Sequence, residues 1–136
     1  MDIKELMIGD LVIYKGEPMK VVFLADILEE CLRLAPLTGH FCTYDCTQAE
    51  LNDVKPLPIT AELLEKNGFS RIAIGRNSCM LRKADRTIQF YGYSNGYDLT
   101  ISYNDAKIIL EDIIALHKVQ QALRMAGLGC MADFDV

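Results

Sequence analysis

The densest set of residues able to hold a metal ion is Cys31, His40, Cys42 and Cys46. Side chains two apart on a strand point to one side, so His40 and Cys42 would face together, with Cys31 across a hairpin and Cys46 just past the strand end. Thiolate and imidazole are the ligands of a tetrahedral zinc site. The spacing is not the paired Cys-x-x-Cys of structural zinc sites, however, and reduced cysteine is also a common small core residue. The expectation is no bound metal and no cofactor, with these four positions as the candidates for a zinc-binding alternative.

A second set joins cations to rings. Arg71, Arg76, Arg82, Lys83 and Arg86 precede a hairpin that carries Tyr91, Tyr93, Tyr97 and Tyr103. Cations that grip phosphates beside rings that stack on bases are the requirements of a single-strand nucleic-acid binder. A solvated sheet face, with charges that discourage edge pairing and tyrosines in cross-strand pairs, has the same composition. The net charge of −5 favours that second reading, since the chain as a whole repels polyanions. Residues 71–86 nevertheless hold five cations against one anion, a local +4, while the remainder carries nine cations against eighteen anions, a net −9. The same segment could also dock an acidic protein partner.

His117 is a further candidate for acid–base work. It falls in helical register beside Ile113, Leu116 and Gln120, which is the setting of a core or interface histidine, and no nucleophile is assignable to it. The chain has no Gly-x-x-x-x-Gly-Lys phosphate loop, Gly-x-Ser-x-Gly elbow or His-Glu-x-x-His helix. No pair of carboxylates is confined to one site by spacing. The expectation is a protein without catalytic activity.

The elements that position these residues follow from local chemistry. At 136 residues and 51% hydrophobic, the chain is long enough to bury a core without disulfides, and its five cysteines are an odd, scattered set. With no basic, apolar leader at the start and no apolar run long enough to span a bilayer, it is expected to be cytoplasmic and away from membranes. Strands are predicted at 8–14, 19–28, 31–35 and 40–44, with turn chemistry at Lys15-Gly16-Glu17-Pro18 and Pro36-Leu37-Thr38-Gly39. Pro56 and Pro58 limit 54–59 to an edge strand or connector.

Thr60 is a preferred N-cap, Glu62 suits the positive end of a helix, and Asn67-Gly68 supplies a left-handed stop. Further strands are predicted at 71–74, 79–82, 87–93 and 97–103, the last two joined through Ser94-Asn95-Gly96. In that hairpin Ile88, Phe90, Leu99 and Ile101 share one face, with Gln89, Tyr91, Asp98 and Thr100 on the other. A strand at 107–110 and a helix from Glu111 to Ala126, stopped by Gly127, complete the pattern, and the mixed tail 127–136 is expected to fray.

Three segments resemble a group of small uncharacterised proteins from gut-anaerobe genomes, prophages and mobile elements. Leu6-Met7-Ile8-Gly9-Asp10-Leu11-Val12 is similar to that group's L-x-I-G-N-x-V opening. Leu57-Pro58-Ile59-Thr60-Ala61-Glu62-Leu63-Leu64-Glu65-Lys66-Asn67-Gly68-Phe69 is similar to its I-P-L-T-E-E-W-L-L-K-F-G-F segment, and Leu116-His117-Lys118-Val119-Gln120-Gln121-Ala122-Leu123 to its closing V-H-Q-L-Q-N-L-Y helix. The group carries an aromatic where Leu63 or Leu64 stands, and the stretch between Cys31 and Cys46 has no counterpart in it. The resemblance implies a shared fold and a prophage or mobile-element origin; it implies no activity.

The combined expectation is an α+β protein. A β-rich module at 1–59, either a small SH3-like barrel or a twisted sheet, precedes an α+β module at 60–136. The latter comprises a capped helix and an antiparallel sheet covered by a C-terminal helix. The expected role is that of an accessory protein that binds another protein or a second copy of itself, with nucleic acid binding through the 71–103 surface as the alternative.

Overall fold

The computed structural model describes residues 5–25, 31–37, 46–73, 75, 78–83, 87–93, 96–103 and 105–136. The fold is α+β and divides into two compact units, Met1–Leu57 and Pro58–Val136.

The first unit is a curled antiparallel sheet in the order β4-β3-β2-β1-β5. Its strands are β1 (Leu11–Tyr14), β2 (Glu17–Ala25), β3 (Cys31–Pro36), β4 (Thr47–Ala49) and β5 (Val54–Pro56). The β1–β2 turn is tighter than the predicted four residues. Lys15 and Gly16 both take positive φ (50° and 82°), and Tyr14 pairs directly with Glu17. Two left-handed residues give a turn whose twist matches that of the strands, so Pro18 falls inside β2.

The first strand starts at Leu11, later than predicted, because Gly9 (φ 96°) and Asp10 form a folded lead-in. The fully buried Asp10 accepts the Met7 amide on Oδ2 at 2.8 Å, while Gly9 N and Val21 N donate to Val21 O and Asp10 O. A register shift between Val21 and Phe23 marks a bulge in β2, a feature that bends and twists a strand. Leu6, Val12, Tyr14, Val21, Leu32, Leu34, Ala49 and Val54 form the core of this unit. The strand predicted at 40–44 lies outside the described residues, and the described partner of β3 is the short β4, which the sequence reading missed. The proline-bearing β5 takes the edge beside β1, as its composition requires.

The second unit holds α1 (Ala61–Lys66), β6 (Ser70–Ala73), β7 (Cys79–Lys83), β8 (Ile88–Tyr93), β9 (Gly96–Tyr103), β10 (Ala106–Ile113) and α2 (Leu116–Met125). The strands run as a meander in the order β10-β9-β8-β7-β6. Ile88 pairs with Ile101 and Phe90 with Leu99, so the predicted face forms, and Leu81 joins it from β7. All five are at most 1% exposed. Gly96 pairs with Tyr93 and so belongs to the ladder, not to the turn that Asn-Gly suggested.

A helix of six residues is marginal by itself, so α1 depends on its ends. The Thr60 hydroxyl accepts the Leu63 amide at 3.1 Å. At the other end Gly68 (φ 89°) closes the last turn, with Gly68 N donating to Glu65 O and Phe69 N to Leu64 O. Asn67 then reaches the tail: its Nδ2 donates to Asp135 O at 2.9 Å, and Asp135 N donates to its Oδ1 at 2.7 Å. Gln120 Nε2 donates to Ala132 O, and Leu128, Ala132 and Phe134 are buried. The tail is therefore docked, contrary to the fraying expected of it, because the C-cap of α1 (Asn67) and α2 (Gln120) each supply an amide side chain that matches its backbone.

The second helix begins at Leu116, five residues later than predicted, and Glu111 and Asp112 belong to β10. Ile108, Ile109, Ile113 and Ile114 are β-branched and favour extended backbone. Ile113 pairs with Tyr97, and the Ile59 amide donates to Ile114 O at 3.0 Å. Pro58 bridges to Ala115, so tertiary pairing keeps the chain extended up to the helix. Its stop at Gly127 (φ 84°) is as predicted. No helix among the described residues is long and apolar enough to cross a membrane.

Candidate interaction surface

Register divides the basic and aromatic residues between two faces of the second sheet. Arg71 is paired with Leu81 and Lys83 with Ile88, which places both cations on the face that carries Phe90 and Leu99. Arg82 pairs with Ser70 and Gln89 and lies on the opposite face. Arg76 and Arg86 lie outside the described residues. Tyr91 and Tyr93 share the face of Arg82, whereas Tyr97, paired with Gly92, lies on the face of Phe90.

The described cations are engaged locally. Lys83 Nζ donates to Asn67 O at 2.7 Å and lies 5.5 Å from the Phe69 ring centre. There it satisfies a carbonyl at the negative end of α1 while its stem covers an aromatic. Arg71 pairs with Glu65 at 3.2 Å on the surface, and this contact raises its already high pKa further. Arg82 Nε donates to Met80 Sδ. Tyr97 meets Phe90 edge-on at 6.1 Å and packs over Gly92, where an added Cβ would stand 2.8 Å from its ring. That ring is therefore part of the packing.

Tyr93 lies among carboxylates. Its hydroxyl donates to Asp98 Oδ1 at 3.1 Å and to Asp112 Oδ1, and Asp98 Oδ1 also accepts the Asp112 amide at 3.2 Å. The hydrogen bond to Asp112 is the main cause that raises the phenol's pKa above its ordinary value, followed by desolvation and the bond to Asp98. A phenol held protonated in this way ties three strands together, β8 to β9 and β10, and is the reverse of an activated base. Asp112 takes φ 53° at the bulge where β10 loses register with β9, and this bond to Tyr93 helps to hold it there.

The feature that the sequence reading missed is the outer edge of β10. This strand is eight residues long and forms the end of the sheet among the described residues. The Ser102 amide donates to Thr87 O, away from β10, so alternation directs the amides and carbonyls of Lys107, Ile109 and Glu111 outward. Lys107 and Glu111 are exposed, Ile109 is 57% exposed, and Ile114 just past the strand is 63% exposed. A cleft of about 340 Å³ lies against this end of the strand, lined by residues 110–115 and Lys118. The density of isoleucine in 108–114 was the available signal, but strand length and edge position depend on pairing that no local pattern encodes.

His117 is buried on the packed face of α2 with Leu116, Val119, Gln120 and Leu123, which is a core position. Of the zinc candidates, His40 and Cys42 lie outside the described residues; Cys31 opens β3, and Cys46 is half-buried immediately before β4. Among the described residues no three His, Cys, Asp or Glu side chains gather as a metal site would require. No family model, curated protein or solved structure matches the chain.

Proposed function

We propose that this chain is a non-catalytic accessory protein that works by binding protein along the open β10 edge of its C-terminal sheet. The observation that supports this reading is the eight-residue edge with outward backbone groups and exposed Ile109 and Ile114 beside it. Extended partners add to such edges through main-chain hydrogen bonds. Free thiols at Cys79 and Cys130 suit a reducing cytoplasm. The prophage or mobile-element origin implied by the three similar segments suits an accessory role.

Charge placement favours protein over nucleic acid as the partner. Arg71 and Lys83 are on the face opposite Arg82, and each makes a local contact. Tyr91 and Tyr93, the rings on the Arg82 face, stand beside Asp98 and Asp112, which repel phosphate. Titration of the full chain against labelled single- and double-stranded DNA and RNA at low salt is expected to be flat. Saturable, salt-dependent binding that is lost in Arg82→Ala would replace the present reading with the nucleic-acid one.

A further inference from the structure

We infer that the occupant of the β10 edge is a second copy of the same chain, paired antiparallel about a two-fold axis at Ile109. This rests on the protein-binding reading above and adds the partner and the register.

The register follows from the strand itself. In an antiparallel pair, residues with outward backbone groups must meet one another, and a two-fold axis makes the pairing self-complementary. With outward groups at Lys107, Ile109 and Glu111, centring on Ile109 sets Ile109 against its own copy and Lys107 against Glu111 in both directions. Each of these pairs exchanges both backbone hydrogen bonds, and two cross-strand ion pairs flank an isoleucine pair on the outer face. On the other face Ile108 meets Leu110, and both are half-buried in the isolated chain.

Neighbouring registers lose this match. Centring on Lys107 sets lysine against lysine, centring on Glu111 sets glutamate against glutamate, and the intermediate ones set Ile109 against a charge. The pairing ends naturally at Asp112, where positive φ and the bulge turn the strand away. The other edge of this sheet, β6, is half as long, at four residues.

The test is sedimentation-equilibrium ultracentrifugation of the full chain over a wide concentration range, with far-UV circular dichroism to confirm that each variant folds. The wild type is expected to show a monomer–dimer equilibrium. Lys107→Glu and Glu111→Lys should each weaken it by about tenfold, because two opposite-charge pairs become two like-charge ones, and the double swap should restore it. Ile109→Pro removes an outward amide that β9 does not use, so it should leave the fold intact and abolish the dimer. A wild type that stays monomeric at every concentration overturns the self-pairing. A dimer indifferent to Ile109→Pro and to the charge reversals also overturns it, while leaving a protein-binding role by another surface. Nucleic-acid binding in the titration above removes the protein-binding reading itself, so the two failures are distinguishable.

Discussion

The two sheets end differently. In the N-terminal unit the described edges, β4 and β5, are three residues each, and β5 carries Pro56. The exposed Phe23 has the Arg33 guanidinium 5.7 Å from its ring centre. Short edges, proline and a covering cation all discourage strand addition. In the C-terminal unit β10 offers eight residues with Ile109 bare. Both sheets bury one apolar face, so burial alone does not account for the contrast. It teaches that edge treatment is where these two halves diverge: one edge pair is blunted, while β10 keeps a self-complementary pattern of charge.

The largest effect that would break the comparison is loss of the scaffold behind β10. Phe90 is fully buried, meets Phe69 at 5.4 Å and is paired with Leu99. Phe90→Ala is expected to destabilise the second sheet by about 3–5 kcal/mol in chemical denaturation. A loss below about 1 kcal/mol would show that the sheet is not organised around this ring.

The blunted unit has its own joint at Asp10. Asp10→Ala leaves the Met7 amide without its carboxylate acceptor and is expected to cost about 1–3 kcal/mol. Hydrogen exchange at the Met7 amide should rise with it; unchanged exchange there would show that the lead-in turn does not depend on this contact.

The smallest effect is on pH dependence at the bulge. The folded state raises the pKa of Tyr93 above its ordinary value of 10, chiefly through Asp112, so the folded state favours the protonated phenol. The associated stability is fully present below pH 10 and is lost as pH rises above it toward the folded pKa, since only the unfolded chain then releases the proton freely. Tyr93→Phe should therefore flatten the alkaline fall in stability relative to wild type. Parallel wild-type and variant curves above pH 10 would remove Tyr93 from this role.

Much of the fold was legible because its signals are local. Thr60 caps α1, Gly68 and Gly127 take the left-handed conformation that stops each helix, and the 88/90 and 99/101 positions share a face by simple alternation. The candidate surface was less so. Adjacency in the chain put Arg82 and Lys83 in one basic segment, but successive strand residues point to opposite faces, and only the pairing with β6 and β8 says what each one meets. The tail looked free because Asn67 and Asp135, its tie to α1, are 68 positions apart.

By itself, then, the sequence determined the element types and their joints: turns that need glycine, a threonine cap, and apolar alternation that selects a buried face. The tertiary structure decided how far β10 runs, where α2 begins, which cations meet helix ends, and which edge stays open. Those outcomes depend on hydrogen bonds and contacts between distant residues: the isoleucines of 108–114 favour extended backbone, but the pairing with β9 and the Ile59–Ile114 hydrogen bond decide how far the strand continues.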